Sequence, residues 1–423
     1  MRKIFTLIMT VFVLLIVLCV NAFATTTTNE DVVLRVSALK RDDTTVVLND
    51  YTVFEDGWNK AMELAINSKE MNDNDYARVI VDIYADWNAV EGQFTEDFFN
   101  GKGFNWDAIY FQPNVKMTLN LNNNTINRGL TEWEYNGEVM YIDKGADVII
   151  NEGTITGGFS GNGAGGIHIN GANVVLNNVN IVKNYAEDAN GAGIALYNGA
   201  TLTMQNGSIV NNEAEGFGGG IYLKYSEAYL NEVNISDNVV AGFAAGQGHL
   251  LEGGACQVNR STLYLTKCII KNNYSSRYGA AIGIDEGDVV IEECTITENY
   301  ALFEGSAISI SKGTCLVDRS SIVGNRRAEP DGKTVFTYGS VFYVEYGTLQ
   351  FSNSEYDDYF KCWESGEVIF ADVSETPVTP GSIFGEGSFS TIISFVALIT
   401  SIASIGVTIF YNKKKETLSN TEE

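Results

Sequence analysis

Histidine is nearly absent: His168 and His249 are the only two in 423 residues. So few imidazoles leave a His-based metal site or a Ser-His-Asp triad short of parts. Proline is also scarce, 4 residues against 42 glycines, and with 45% hydrophobic and 19% charged residues this balance excludes a disordered linker protein. Bases are few, 27 against 53 acids, and the net charge of −26 repels phosphate backbones, which excludes nucleic-acid binding. The centre of the chain also lacks the 3.6-residue apolar period of a helical repeat.

Long apolar runs occur twice, at the two ends. Arg2 and Lys3 precede an apolar run from Ile4 to Val20 and then Ala22-Phe23-Ala24, the pattern a signal peptidase accepts, so the mature chain is expected to begin near Thr25. Residues Phe389 to Tyr411 are uncharged, and 23 residues of helix span about 34 Å, enough for a bilayer core of about 30 Å. Lys413, Lys414 and Lys415 follow at once and place the C-terminus in the cytoplasm. No Leu-Pro-x-Thr-Gly sorting signal precedes the span. Residues 25 to 411 carry 22 bases and 50 acids, so the acidity faces outward.

Between these runs the sequence repeats. Gly165-Gly166-Ile167, Ala192-Gly193-Ile194, Gly219-Gly220-Ile221, Gly254-Ala255-Cys256, Ala280-Ala281-Ile282, Ser306-Ala307-Ile308 and Ser340-Val341-Phe342 recur at steps of 27, 27, 35, 26, 26 and 34 residues. Counted from each middle residue, apolar side chains return at places one and three (Ile194 and Leu196, Ile284 after Ile282). They return at eight and ten (Val174 and Leu176, Cys315 and Val317), and at thirteen and fifteen (Cys268 and Ile270, Cys294 and Ile296). The coil with Leu202, Met204 and Ile209 slips by one. Pairs two apart mean strands, and three short strands per unit cannot close a core alone, so the units are expected to stack as coils of a parallel solenoid about 4.8 Å apart. A row of Asn184, Asn212, Asn238, Asn273, Asn299 and Asn325, each three residues after an inward Ile, is expected to stack as an amide ladder.

The Gly-Gly-Ile/Ala-Ile and Ile-x-x-Asn units resemble the Gly-Gly-Ala-Ile and Phe-x-x-Asn repeats of polymorphic outer-membrane proteins. More broadly they resemble the right-handed parallel β-helix surface proteins of the pectin-lyase-like superfamily. The likeness covers roughly residues 105 to 370, with Ile in place of the family's Phe and no C-terminal membrane barrel visible. It implies an all-β fold, a right-handed parallel β-helix; the apolar pattern, which extends backwards through Ile155, Met140, Ile126 and Ile109, counts about ten coils, on the order of 48 Å of stack. A superfamily of adhesins, lyases and hydrolases leaves activity open.

The expected organisation is a signal peptide (1–24), an N-terminal α/β cap region (25–104), the β-helix (105–371), a linker (372–388), a transmembrane helix (389–411) and a cytoplasmic tail (412–423). In the cap, Asp56 is placed as the N-cap of a helix presenting Trp58, Ala61, Met62, Ala65 and Ile66, beside a strand from Val79 to Tyr84. Cys256, Cys268, Cys294 and Cys315 fall on inward phases and are expected to be unbridged buried hydrophobes, because in-register neighbours sit farther apart than a disulfide allows.

Catalytic motifs are weak. Lys333-Thr334 after Gly332 has Arg327 where a phosphate loop needs its first Gly, and the Gly157 to Gly166 run is a solenoid turn. Of the galacturonan-hydrolase motifs of this fold only Gly248-His249-Leu250 is a partial match, and no paired carboxylates stand out. Asp285 and Asp288 with Arg260 or Lys267 would have to serve a lyase site, and turn acids account for them. The expected function is therefore a membrane-anchored extracellular β-helix protein, an adhesin or cell-surface scaffold without catalysis, with no cofactor and no metal. The alternative is a polysaccharide-binding or polysaccharide-cleaving β-helix, which would want a groove lined by aromatics such as Tyr222, Tyr264 or Tyr278; a surface-layer component fits the same features. Surface glycans or proteins of host or neighbouring cells are the expected partners. The two long steps place the expected ligand site on loops Gly242 to Glu252 and Arg326 to Val335, with Phe243, Gln247 and His249 beside Arg326, Arg327 and Lys333.

Overall fold

Alternation of apolar and polar residues over four- to eleven-residue stretches has one low-energy outcome, strands with one face dry, and these strands pair with their counterparts in the next repeat. The computed structural model describes residues 32–89, 104–105, 108–130, 137–161, 163–241, 253–328 and 339–371. The expected signal peptide, transmembrane helix and tail lie outside them; among the described residues no helix is long and apolar enough to cross a membrane.

A coil holds three main strands and a short fourth. In one coil these are Ile221–Lys224, Glu227–Asn231, Asn234–Ser236 and Val239–Val240, each parallel to its equivalents on either side. The first-strand ladder runs from Ala108–Phe111 through Met140–Ile142 and Ile167–Asn170 to Phe342–Ser352 and Phe360–Cys362. Inward side chains form continuous rows: Ile167, Ile194, Ile221, Cys256, Ile282 and Ile308 are all fully buried. Each such aliphatic side chain contributes about 1.5–3 kcal/mol of transfer free energy.

The one-residue slip has a simple cause. Val174 pairs with Leu202, 28 residues on, because the bend at Asn198 and Gly199 holds an extra residue, both in the left-handed region. Downstream, Gly207 then takes the phase of Val179, where a Cβ would lie 2.1 Å from the Val179 carbonyl oxygen, so only glycine fits.

The bends between second and third strands turn on left-handed residues at φ of 45° to 57°, namely Glu152, Asn178, Asn206, Glu232, Lys267, Glu293, Arg319 and Asn353, and Asn206 is followed by a second left-handed residue, Gly207. Several are not the Asn or Gly that this conformation favours, so the ladders on both sides hold them there. The asparagine row is fully realised. Each amide accepts from the backbone N–H of its counterpart one coil earlier, as Asn212 Oδ1 does from Asn184 (3.0 Å) and Asn299 Oδ1 from Asn273 (3.0 Å). The Nδ2 groups donate to carbonyls of inward isoleucines, Asn238 to Ile209 (2.9 Å) and Asn325 to Ile296 (2.8 Å).

Cys256, Cys268, Cys294 and Cys315 are buried and unbridged, and burial pushes the Cys256 and Cys315 thiols up from their usual range. They are more than small hydrophobes. Cys294 Sγ accepts from the Cys268 backbone N–H (3.3 Å), Ser320 Oγ accepts from Cys294 N–H (3.0 Å), and Ser354 Oγ accepts from Ser320 N–H (3.0 Å). Sulfur and hydroxyl serve as a second acceptor ladder beside the amides.

At the N-terminal end β1 (Leu34–Lys40) lies between β2 (Thr45–Tyr51) and β3 (Tyr76–Ile83), both antiparallel to it, with α1 (Phe54–Ile66) and α2 (Ser68–Asp73) connecting them. β3 joins the solenoid by pairing in parallel with Lys116–Asn120. The N-cap of α1 is Val53, not Asp56, which falls in the first turn and helps there through the helix dipole. Trp58, Ala61 and Met62 are buried with Phe54, Gly57 and Leu64, whereas Ile66 lies exposed.

Candidate functional site: an open groove at a solenoid bend

The bend between first and second strands is where outward side chains gather. Tyr225, Arg260 and Glu286 occupy it on successive coils, all in the left-handed region, which throws each side chain away from the core. One residue into the second strand, Thr201, Glu227, Thr262 and Asp288 stand in register on the outward face. Together with Ser226 and Ser261 they line an open groove of about 540 Å³. Two coil spacings separate Glu227 from Asp288, or about 10 Å.

The groove is a hydrogen-bonding surface of mixed sign. Arg260 lies over the Tyr225 ring, 5.6 Å from its centroid, donates to the Tyr225 hydroxyl and donates to Glu286. Lys312 Nζ reaches the other Glu286 oxygen at 3.0 Å. These donors, Lys312 first and Arg260 next, pull the Glu286 carboxyl below the usual carboxylate range. Glu227 accepts from the Tyr229 hydroxyl (3.0 Å) and Asp288 from the Thr314 hydroxyl. Three carboxylates and one guanidinium give the wall acceptors for ligand hydroxyls, a fixed planar donor, and a field that repels polyanions.

The sequence reading finds no paired carboxylates. In the structure Glu227 and Asp288 share one outward row, two coils apart. Arg260 and Asp288 of the forced lyase set do line the groove, but Asp285 instead accepts from Asn259 Nδ2 (3.0 Å) at the end of the first strand, and Lys267 turns the opposite bend. The missing signal was in the phase: Glu227 and Asp288 each immediately precede an inward residue, Ala228 and Val289, at the same place in their coils.

The aromatics expected to line a glycan groove are dispersed. Tyr222 is buried among Tyr197 and Phe217, on the outward face of the first strand. Tyr264 stacks on Tyr229 at 4.7 Å with ring planes 3° apart, which hides the facing ring surfaces a sugar would stack on, and burial pushes its hydroxyl up to about 12. Tyr278 packs against Phe303 and Tyr343. Phe243, Gln247, His249 and Lys333 lie outside the described residues. Arg326 and Arg327 do not begin a projecting loop as expected: they form a short strand paired with Tyr300 and Ala301, and Arg327 Nε donates to the Leu302 carbonyl (2.7 Å). Among the described residues no group of three or more His, Cys, Asp or Glu side chains could hold a metal ion.

Two buried titratable groups sit toward the N-terminal half. His168 lies between Tyr141 (4.7 Å) and Tyr197 (5.1 Å), its Nδ1 has no hydrogen-bond partner, and burial lowers it to about 4 against the weaker pull of Asp143. Gly163 of the glycine-rich run passes over it; a Cβ there would lie 2.4 Å from Nδ1. Glu138 is raised to about 7 by burial, accepts from the Ser160 hydroxyl (3.2 Å) and is opposed only weakly by Arg128.

Compared with known proteins, the chain matches the model of the right-handed beta helix region over residues 107–274 and again over 207–356, together more than half its length. No curated protein and no solved structure is significantly similar to it.

Proposed function

From the premise that the chain belongs to the right-handed β-helix family, we propose that it is an exported, membrane-anchored scaffold of about ten coils, capped at its N-terminal end, that binds neutral surface glycans through the groove at the bend. The observation that carries this reading is the groove itself: an open trough across four coils, walled by Thr201, Tyr225, Glu227, Arg260, Thr262 and Asp288, whose polar atoms match ligand hydroxyls rather than apolar surface. The acidic wall and the chain's net charge disfavour polyuronates. Anchoring follows from residues 389–411 and Lys413 to Lys415, export from residues 1–24. Proteins of neighbouring or host cells are the other partner class for the same surface.

A glycan array probed with the full chain and with Arg260→Ala and Glu227→Gln variants tests this. Neutral glycans should be retained by the wild type and lost by both variants with unchanged thermal stability; equal retention by all three refutes the groove. Glu227, Glu286 and Asp288 also favour a second reading, cleavage by paired carboxylates. Release of reducing ends from a bound glycan, abolished in Asp288→Asn, would establish that reading instead.

A further inference from the structure

We propose that the C-terminal end of the solenoid is a lipid-facing surface that rests in the interfacial layer of the bilayer. The inference rests on the anchored reading above. At this end the inward rows run out uncovered. Phe360 and Cys362 align with Phe342 and Val344 and so continue two core rows, yet Val344 is 1% exposed while Cys362 is exposed. Phe370 closes an aromatic stack with Phe351 (5.9 Å), Tyr356 (5.4 Å) and Phe360 (5.6 Å) and is still 51% exposed. Tyr359 and Trp363, on either side of Phe360–Cys362, and Ile369, in the strand Glu367–Ala371, are exposed as well.

Three occupants could cover such an end. The following segment, 372–388, carries Pro377, Pro380, three glycines and three acids, a poor sequence for a strand that must pair with an open edge and dry an aromatic surface. A second copy would bring the rim of Asp357, Asp358, Glu364 and Glu367 against its own image, like charge facing like, with Lys361 already engaged by Glu304 (2.8 Å). A zwitterionic lipid surface avoids both, since it carries no net charge to repel the rim and needs no strand pairing. From Ala371 only 17 residues precede the apolar run beginning at Phe389. On the anchored reading so short a connection keeps lipid within reach of this end, and even a weak interfacial affinity is engaged. Trp and Tyr are the side chains this layer prefers, because the ring is apolar and its polar atom stays wet.

The test uses the full chain in phosphatidylcholine vesicles that include a phosphatidylcholine brominated near the glycerol end of its acyl chains. Tryptophan emission is compared for the wild type and Trp363→Phe. Vesicle flotation is scored first: a chain that does not float refutes anchoring, and this inference with it. In a floating chain, brominated lipid should quench a component of the emission that is lost in Trp363→Phe and reduced severalfold in Tyr359→Ser. A floating chain whose Trp363 emission ignores brominated lipid overturns the inference and leaves anchoring intact. Shielding of Trp363 that rises with protein concentration and not with lipid also overturns it, and assigns this end to a second copy.

Discussion

The two ends of the solenoid meet the same physical demand and answer it differently. At the N-terminal end the described residues pack over the inward rows: Trp58 and Phe54 of α1 pack with Phe111 and Trp87 (Trp58 to Phe111 and Phe54 to Trp87, both 5.0 Å), β3 lies on Lys116–Asn120, and Trp87–Asn88 pairs with Thr125–Asn127. At the C-terminal end the rows end in large aromatics that stack on one another and stay partly wet. A solenoid coil is dry only when it has a neighbour on each side, so a residue's phase decides where it points while its place along the stack decides whether it is buried.

The largest expected effect separates those two variables. Ile284 and Cys362 occupy the same row, in mid-stack and at the open end. Ile284→Asp buries an unpaired carboxylate and should cost several kcal/mol in chemical denaturation, whereas Cys362→Asp should stay within about 0.5 kcal/mol. Equal losses would show that the end is covered. Next in size is the comparison of tryptophans. Trp58→Ala removes the fully buried centre of the covered end and should cost about 3–5 kcal/mol, while Trp363→Ala, measured on the protein free of lipid, should be nearly neutral; a large loss at Trp363 would break the contrast.

A third prediction uses pH, because both strongly perturbed carboxyl and imidazole groups lie toward the covered end. His168 falls from the ordinary 6.5 to about 4, so its stability contribution is complete above pH 6.5 and is lost as pH drops toward 4, about 3 kcal/mol in all. Glu138 rises from 4.5 to about 7, so its contribution is complete below pH 4.5 and is lost as pH climbs toward 7, again about 3 kcal/mol. His168→Gln should flatten the acid limb of a stability-versus-pH curve and Glu138→Gln the neutral limb. Curves unchanged by both substitutions would contradict the burial of these groups. The smallest effect is kinetic. A thiol-alkylating reagent should modify Cys362 at once in the native protein and Cys256, Cys268, Cys294 and Cys315 only after denaturation, as peptide mass spectrometry would resolve. Slower labelling of Cys362 in vesicles than in solution would sharpen the contrast toward the lipid-facing end.

The repeat phase is legible in the sequence because burial in a solenoid is periodic: Ile167, Cys268 and Val317 each sit where counting from the small-residue pair puts them. The amide row was legible for the same reason. Asp56 was misjudged because a cap is set by where the chain leaves extended geometry, and Val53 does so three residues earlier. The cysteines were read for size, and only the register revealed Cys294 as an acceptor for a neighbouring backbone.

What the sequence by itself determined is therefore one-dimensional: period, strand phase, the identity of each inward row, the asparagine ladder and the acidic surface, all carried by residues whose spacing repeats within one coil. What only the tertiary structure decided is perpendicular to that. Glu227, Arg260 and Glu286 become neighbours across 33 and 26 residues of chain because coils stack at the strand spacing, and unequal coil lengths blur that juxtaposition in a linear reading. The same stacking, simply by stopping, leaves Cys362 uncovered in a row where its counterparts Ile284, Ile310 and Val344 are dry.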